Sequence, residues 1–153
     1  MDLILWRHAE AQDEAEDGDD LQRALTTRGE KQAARVAAWL DRQLPEGARI
    51  LCSPARRCEQ TALGLGRKYK IHNGLGPQAT VGGLLELAQW PSAKQAVLLI
   101  GHQPVLGETI AHLLHLKHDS CPVRKGSVWW LRTRERDGHV QTVVVAVQSP
   151  DAL

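Results

Sequence analysis

Asp2-Leu3-Ile4-Leu5-Trp6-Arg7-His8-Ala9-Glu10 is the stretch that decides the fold of this chain. Its apolar residues run on without alternation, so the strand at Asp2 to Trp6 must be covered on both faces, as a central strand of a parallel sheet is. A second run of this kind, Ala96-Val97-Leu98-Leu99-Ile100, leads into Gly101-His102. Each run delivers a histidine at the carboxyl end of a buried strand. Ligands bind at those ends in open α/β sheets, so two histidines far apart in sequence can meet at one site.

Working outward, the run from Asp13 to Asp20 is too acidic to bury and reads as a solvated loop. Beside a binding pocket such a loop could repel free anions or dock a basic partner. Thr26 or Thr27 caps a helix reaching about Leu44, with Glu30 three residues after Thr27 in a capping-box pattern and Pro45 to Gly47 as the stop. Ala33, Val36, Ala37, Leu40 and Leu44 form its apolar stripe. Arg49 to Cys52 is a second strand, and Ser53-Pro54 opens a helix expected to reach about Tyr69. A looser segment from Ile71 to Trp90 holds one short helix near Val81 to Ala88. Ala96 to Ile100 is the third strand, followed by a helix from Pro104 to Leu116. Ser127 to Arg132 and Val140 to Val147 are β-rich runs flanking Asp137-Gly138, the dipeptide of a tight hairpin. Strands interleaved with helices predict right-handed crossovers and an α/β fold: a three-layer α/β/α sandwich, mostly parallel, with an antiparallel edge.

Composition sets the bounds. At 153 residues, 42% of them apolar, the chain can bury one real core, and residues 1–153 read as a single domain. A formal charge of +1 gives no ground for nucleic-acid or membrane binding. No apolar run nears the roughly 20 residues that cross a bilayer, and the first residues enter a strand rather than a signal peptide, so a cytoplasmic location is expected. Cys52, Cys58 and Cys121 form no C-x-x-C pair and suit a reducing compartment. The five tryptophans, with no phenylalanine, are expected to fill the core or cover the sheet rather than stack a base.

The second strand end adds chemistry. Ser53-Pro54-Ala55-Arg56-Arg57 places arginines in the first turn of a helix, where free N–H groups and the helix dipole favour an anion. Arginine's planar fork of donors suits phosphate oxygens. Arg7-His8, the arginine pair and Gly101-His102 together describe a cationic pocket for a tetrahedral oxyanion.

Four ordered motifs, Leu3-Ile4-Leu5-Trp6-Arg7-His8-Ala9-Glu10, Ala24-Leu25-Thr26-Thr27-Arg28-Gly29, Ser53-Pro54-x-x-Arg57-x-x-Gln60-Thr61-Ala62 and Leu99-Ile100-Gly101-His102-Gln103-Pro104, resemble those of the histidine phosphatase superfamily, with its phosphoglycerate mutase-like fold. The likeness runs from residue 2 to about residue 116, and the Arg-His-Ala-Glu and Leu-Thr-x-x-Gly forms resemble its SixA-type phosphohistidine phosphatase branch. Many members have glycine where this chain has Ala9. The resemblance implies that His8 is a nucleophile forming a phosphohistidine intermediate, and that Arg7, Arg57 and His102 bind the phosphate oxygens. It selects Arg57 over Arg56, and it implies a protonated His102, which a phosphate dianion favours. No metal or other cofactor is needed where these cations supply the charge.

Many superfamily members also use a carboxyl group as general acid, and Glu86 is the carboxylate in the corresponding region, equally readable as the polar face of a short helix. Glu10 lies close to His8 in sequence but can equally face solvent. A cysteine phosphatase is disfavoured, because the position six after Cys52 is Cys58 and Arg57 falls one place short. His112, His115 and His118 step around a helix without a carboxylate, a poor metal set. The short segments after His8 and between Tyr69 and Ala96 imply an open pocket, suited to a phosphorylated side chain on a protein, including a histidine phosphotransfer domain. The alternatives are a small-molecule phosphomonoesterase of the same superfamily and a non-catalytic phosphate-binding module; mutase activity calls for a more enclosed site.

Overall fold

The structure, a computed structural model, describes residues 1–153. Six strands, β1 (Asp2–Arg7), β2 (Arg49–Cys52), β3 (Lys70–Ile71), β4 (Val97–Gly101), β5 (Val128–Arg136) and β6 (His139–Gln148), form one sheet in the order β3-β2-β4-β1-β5-β6. The first four are parallel, and β5 and β6 add the antiparallel edge. The helices are α1 (Thr27–Gln43), α2 (Arg56–Leu63), α3 (Val81–Leu87) and α4 (Val105–Leu113). No helix is long and apolar enough to cross a membrane.

The continuous apolar runs of β1 and β4 serve two cores at once, because successive side chains leave opposite faces of the sheet. Ile4, Trp6, Ile50, Cys52, Leu98 and Ile100 pack with Val36, Ala37 and Leu40 of α1 and Cys58 and Ala62 of α2. Leu3, Leu5, Leu51, Val97 and Leu99 pack with Leu84 of α3 and Val105, Leu106 and Ile110 of α4. This is the expected three-layer sandwich. Burying one such side chain contributes roughly 1.5–3 kcal/mol. Trp6 and Trp130 are buried, and Trp39, Trp90 and Trp129 pack against the cores.

Chain order sets the position of the site. From β1 the chain passes over one face through α1 to β2, and from β4 over the other face through α4 to β5. A crevice therefore opens between the carboxyl ends of β1 and β4, the topological switch point. His8 and His102 are the residues immediately beyond those two ends.

Several boundaries differ from the sequence expectation. Of the two candidate threonines Thr26 caps α1, accepting from the Gly29 N–H, so the capping-box pairing of Thr27 with Glu30 is not used, and Arg67 closes the other end by donating to the carbonyls of Asp41, Leu44 and Pro45. The helix after Ser53-Pro54 stops at Leu63 rather than near Tyr69. Gly64 lies close against Ala37 of α1, Gly66 turns left-handed (φ +67°), and the chain goes on to β3, a strand too short to show in the sequence. The helix after Pro104 ends at Leu113, three residues early, with His115 in a left-handed conformation (φ 54°). His112, His115 and His118 thus share no helix. At the hairpin, Asp137 and Gly138 both have positive φ, as a type I′ turn requires.

Candidate active site

His8 is fixed by backbone groups on both sides. Its own N–H donates to the Gly101 carbonyl at 3.1 Å, tying the end of β1 to the end of β4, and its ring Nδ1 lies 2.8 Å from the Ala9 carbonyl. A carbonyl only accepts, so Nδ1 carries the ring hydrogen and Nε2 keeps its lone pair. Burial pushes the His8 pKa down to about 3, against the opposing pull of the Ala9 carbonyl. The imidazole is therefore neutral, with the Nε2 lone pair free. Its ring centroid is 5.3 Å from that of His102, in an edge-on arrangement.

Arg7 donates through Nη1 to the Val123 carbonyl at 2.8 Å, while its Nε–H is buried without a protein acceptor. Arg57, at the start of α2, also holds a buried Nε–H with no acceptor. Two guanidinium N–H groups left without protein partners beside two histidines are what an oxyanion would satisfy. Arg57 Nη1 and Nη2 reach the Asp20 carbonyl (2.8 Å) and carboxylate (3.2 Å), and Nη2 lies 3.4 Å from His102 Nδ1. His102 Nε2 stands 2.8 Å from Ser53 Oγ. Burial, and after it the charge of Arg57, lower the His102 pKa to about 4. The resting ring is thus neutral, and the protonated state expected from sequence must wait for a bound anion to raise its pKa.

The remaining motif residues hold this arrangement together. Thr61 Oγ1 accepts from the Ala9 N–H at 3.0 Å and donates to the Arg57 carbonyl at 2.7 Å, coupling the residue behind His8 to the helix that bears Arg57. Gln60 accepts from the Leu25 N–H at 2.7 Å. A Cβ on Gly29 would sit 2.0 Å from the Glu10 carbonyl oxygen, so the loop passes this helix only where no side chain intervenes. Ala9 is fully buried against Leu25 and Ala33, and the extra methyl it carries is packed there.

The structure brings His8, Arg7, Arg57 and His102 together. Glu86 is exposed in the last turn of α3, with no bond to any of these four. The next residue, Leu87, contacts Arg49 at the amino end of β2, the end of the sheet away from the histidines. Glu10 turns to α1 instead, accepting from Thr26 Oγ1 at 3.2 Å and facing Arg28 at 3.6 Å. Burial raises both Cys52 and Cys58, the latter to about 12, which leaves neither a usable thiolate. The acidic loop is not wholly solvated as the sequence suggests: Asp20 begins a 3-10 turn (Asp20–Gln22) and bridges Arg23 and Arg57. Burial alone would raise the Asp20 carboxyl, but these two arginines bring it below its ordinary value. The participation of Asp20 and Ser53 went unread in the sequence.

Comparison with known proteins agrees with this geometry. Residues 3–76 match the histidine phosphatase superfamily (branch 1). An uncharacterized protein of Picosynechococcus sp. is 39% identical, covering 71% of this chain and 70% of its own. The phosphohistidine phosphatase SixA homolog of Haemophilus influenzae is 33% identical, covering 74% of this chain and 77% of its own. A solved structure of the protein histidine phosphatase SixA complexed with tungstate superposes with a TM-score of 0.78 at 27% identity, over 99% of both chains. The chain belongs to the histidine phosphatase superfamily, in its SixA-type branch.

Proposed function

We propose that this protein hydrolyses phosphohistidine carried on a protein, through a phosphohistidine intermediate on His8. The observation that carries the reading is the Nδ1–Ala9 carbonyl bond, which leaves the Nε2 lone pair free beside Arg7, Arg57 and His102. In the first step His8 Nε2 forms a bond to phosphorus, and the bond from phosphorus to the substrate's imidazole nitrogen breaks. The substrate nitrogen retains the electron pair and takes a proton from solvent. In the second step water attacks phosphorus and gives up a proton to solvent, the P–Nε2 bond breaks, its electron pair returns to His8, and inorganic phosphate leaves. Arg7, Arg57 and protonated His102 hold the three non-bridging oxygens and stabilise their charge. An imidazole leaves more readily than an alkoxide, so the exposed Glu86 is not required as acid.

The segment between β1 and α1 contributes one 3-10 turn, Asp20–Gln22, which meets Arg57, and no inserted domain follows β1 or precedes β4; this short connection supports a macromolecular substrate. The substrate this reading favours is a histidine phosphotransfer domain or another phosphohistidine protein. The test is release of inorganic phosphate from a phosphohistidine-bearing protein, with small phosphomonoesters in parallel. Turnover of the protein substrate, an acid-labile phosphoryl group trapped on wild-type His8, and loss of both in His8→Ala are expected. Turnover of phosphomonoesters alone would move the assignment to a small-molecule phosphatase, and unchanged turnover in His8→Ala would remove the mechanism.

A further inference from the structure

Ser53, at the carboxyl end of β2, has no exposed surface and touches the one site histidine whose orientation the backbone does not fix. His8 is held through Nδ1 by a main-chain carbonyl, whereas the ring of His102 meets only side chains: Ser53 Oγ at 2.8 Å and Cys58 Sγ at 3.6 Å from Nε2, and Arg57 Nη2 at 3.4 Å from Nδ1. A guanidinium is a donor only, so Nδ1 carries the lone pair facing Arg57, and the ring hydrogen of neutral His102 belongs on Nε2. From there it is donated to Ser53 Oγ, since a thiol is a far weaker acceptor. The serine oxygen is itself held by the Ala55 N–H at 3.2 Å, at the entry to α2.

We propose that Ser53 is the positioning residue of His102: by accepting the Nε2 hydrogen it sets the tautomer and turns Nδ1 toward Arg57 and the phosphate pocket. A neutral hydroxyl in this position has a consequence that a carboxylate would not. A carboxylate partner would keep the ring cationic at rest, and a fixed cation so close to Arg57 would cost charge repulsion inside a buried site. With serine as the acceptor, His102 stays neutral until a phosphoryl dianion arrives. Nδ1 then draws a proton from solvent and donates it to a phosphoryl oxygen, while Nε2–H remains on Ser53. The positive charge appears only when there is an anion to receive it. The inference rests on the proposed phosphoryl pocket for its purpose, but the tautomer it specifies does not depend on turnover.

Long-range 15N–1H NMR of the full-length protein tests this directly, with the His102 signals assigned by their loss in His102→Asn. The wild type is expected to show the Nε2–H tautomer near neutral pH, and saturation with inorganic phosphate should add a proton at Nδ1. Ser53→Ala should shift the ring toward a mixture of tautomers, weaken the phosphate-induced protonation, and lower kcat by about tenfold or more, as loss of an orienting partner typically does. Cys58→Ala should leave the tautomer unchanged. A purely structural role at the start of α2 would lower thermal stability in Ser53→Ala while leaving tautomer and protonation as in the wild type, which would overturn the proposal. An Nδ1–H tautomer in the wild type would overturn it without any variant, so poor folding of Ser53→Ala does not protect it. Failure of the wild type to turn over a phosphohistidine protein would instead count against the substrate assignment and leave the NMR result standing.

Discussion

Replacing Asp20 by Asn should tighten the binding of anions at the pocket. In the resting protein the Asp20 carboxylate occupies Arg57 Nη2 at 3.2 Å and Arg23 Nε at 2.9 Å, so an arriving phosphoryl group competes with a carboxylate for Arg57. Arg57 is nearly buried, with 4% of its side chain exposed, but Asp20 is 58% exposed, so solvent screens the pair. Ion pairs of that kind are worth about 0.5–1 kcal/mol. Relieving that competition corresponds to a roughly two- to fivefold gain in affinity, at 1.4 kcal/mol per factor of ten. Asparagine keeps the shape, and the Arg57 bond to the backbone carbonyl of residue 20, at 2.8 Å, survives the change, so Arg57 should stay in place. Isothermal titration of inorganic phosphate, or product inhibition by it, measures the effect. The gain should shrink as salt rises from 0.05 to about 0.5 M, because the lost charge is exposed and screened. Unchanged or weaker phosphate affinity in Asp20→Asn at low salt would refute the reasoning, because it would mean that Asp20 orients Arg57 rather than competing for it.

Stability of the phosphate-free protein should fall with acid. The folded-state pKa values of His8 and His102, about 3 and about 4, lie below the unfolded value of 6.5, so the unfolded chain binds more protons between them. Stability is complete above pH 6.5 and declines by up to about 1.4 kcal/mol per pH unit for each histidine as pH falls toward 4, which denaturant midpoints from pH 7.5 to 4.5 would read; a flat profile would count against neutral resting histidines. Thr61→Val removes the acceptor for the buried Ala9 N–H and should cost about 1–3 kcal/mol in urea unfolding, with a drop in kcat from a loosened loop after His8. Gly29→Ala forces a Cβ to within 2.0 Å of the Glu10 carbonyl oxygen and should cost about 1–3 kcal/mol, read as a lowered Tm. Glu86→Gln should change turnover of a phosphohistidine protein less than twofold, whereas a loss of tenfold or more would restore this carboxyl to the mechanism.

The fold was legible because its central strands are extreme. Leu3 to Trp6 and Val97 to Ile100 are apolar on both faces, and the structure uses both faces. The positive φ of Asp137 and Gly138 likewise follows from residue types that tolerate it. Helix ends were less legible because tertiary contacts set them. Nothing local to residues 53–69 announces that Gly64 must fit against Ala37, and the early stop of α2 follows from that contact and the left-handed Gly66. The two-residue β3 pairs with β2 only once the intervening helix has ended there.

The site divides along the same line. His8, Arg7, Arg57 and His102 are each adjacent to, or one turn beyond, a strand end, so topology alone delivers them to the crevice between β1 and β4. Their protonation states were not legible in this way, since those depend on what lies behind each ring. A backbone carbonyl behind His8 exposes its Nε2, a hydroxyl behind His102 exposes its Nδ1, and burial keeps both rings neutral beside two guanidiniums. The acidic run from Asp13 to Asp20 illustrates the limit further. Charge pattern marks the whole run as solvated, yet its last member crosses to Arg57, 37 residues away in sequence. A carboxylate there keeps the pocket's most buried arginine partnered at rest, and a dianion with two more oxygens to offer, to Arg7 and to His102, is the ligand equipped to displace it.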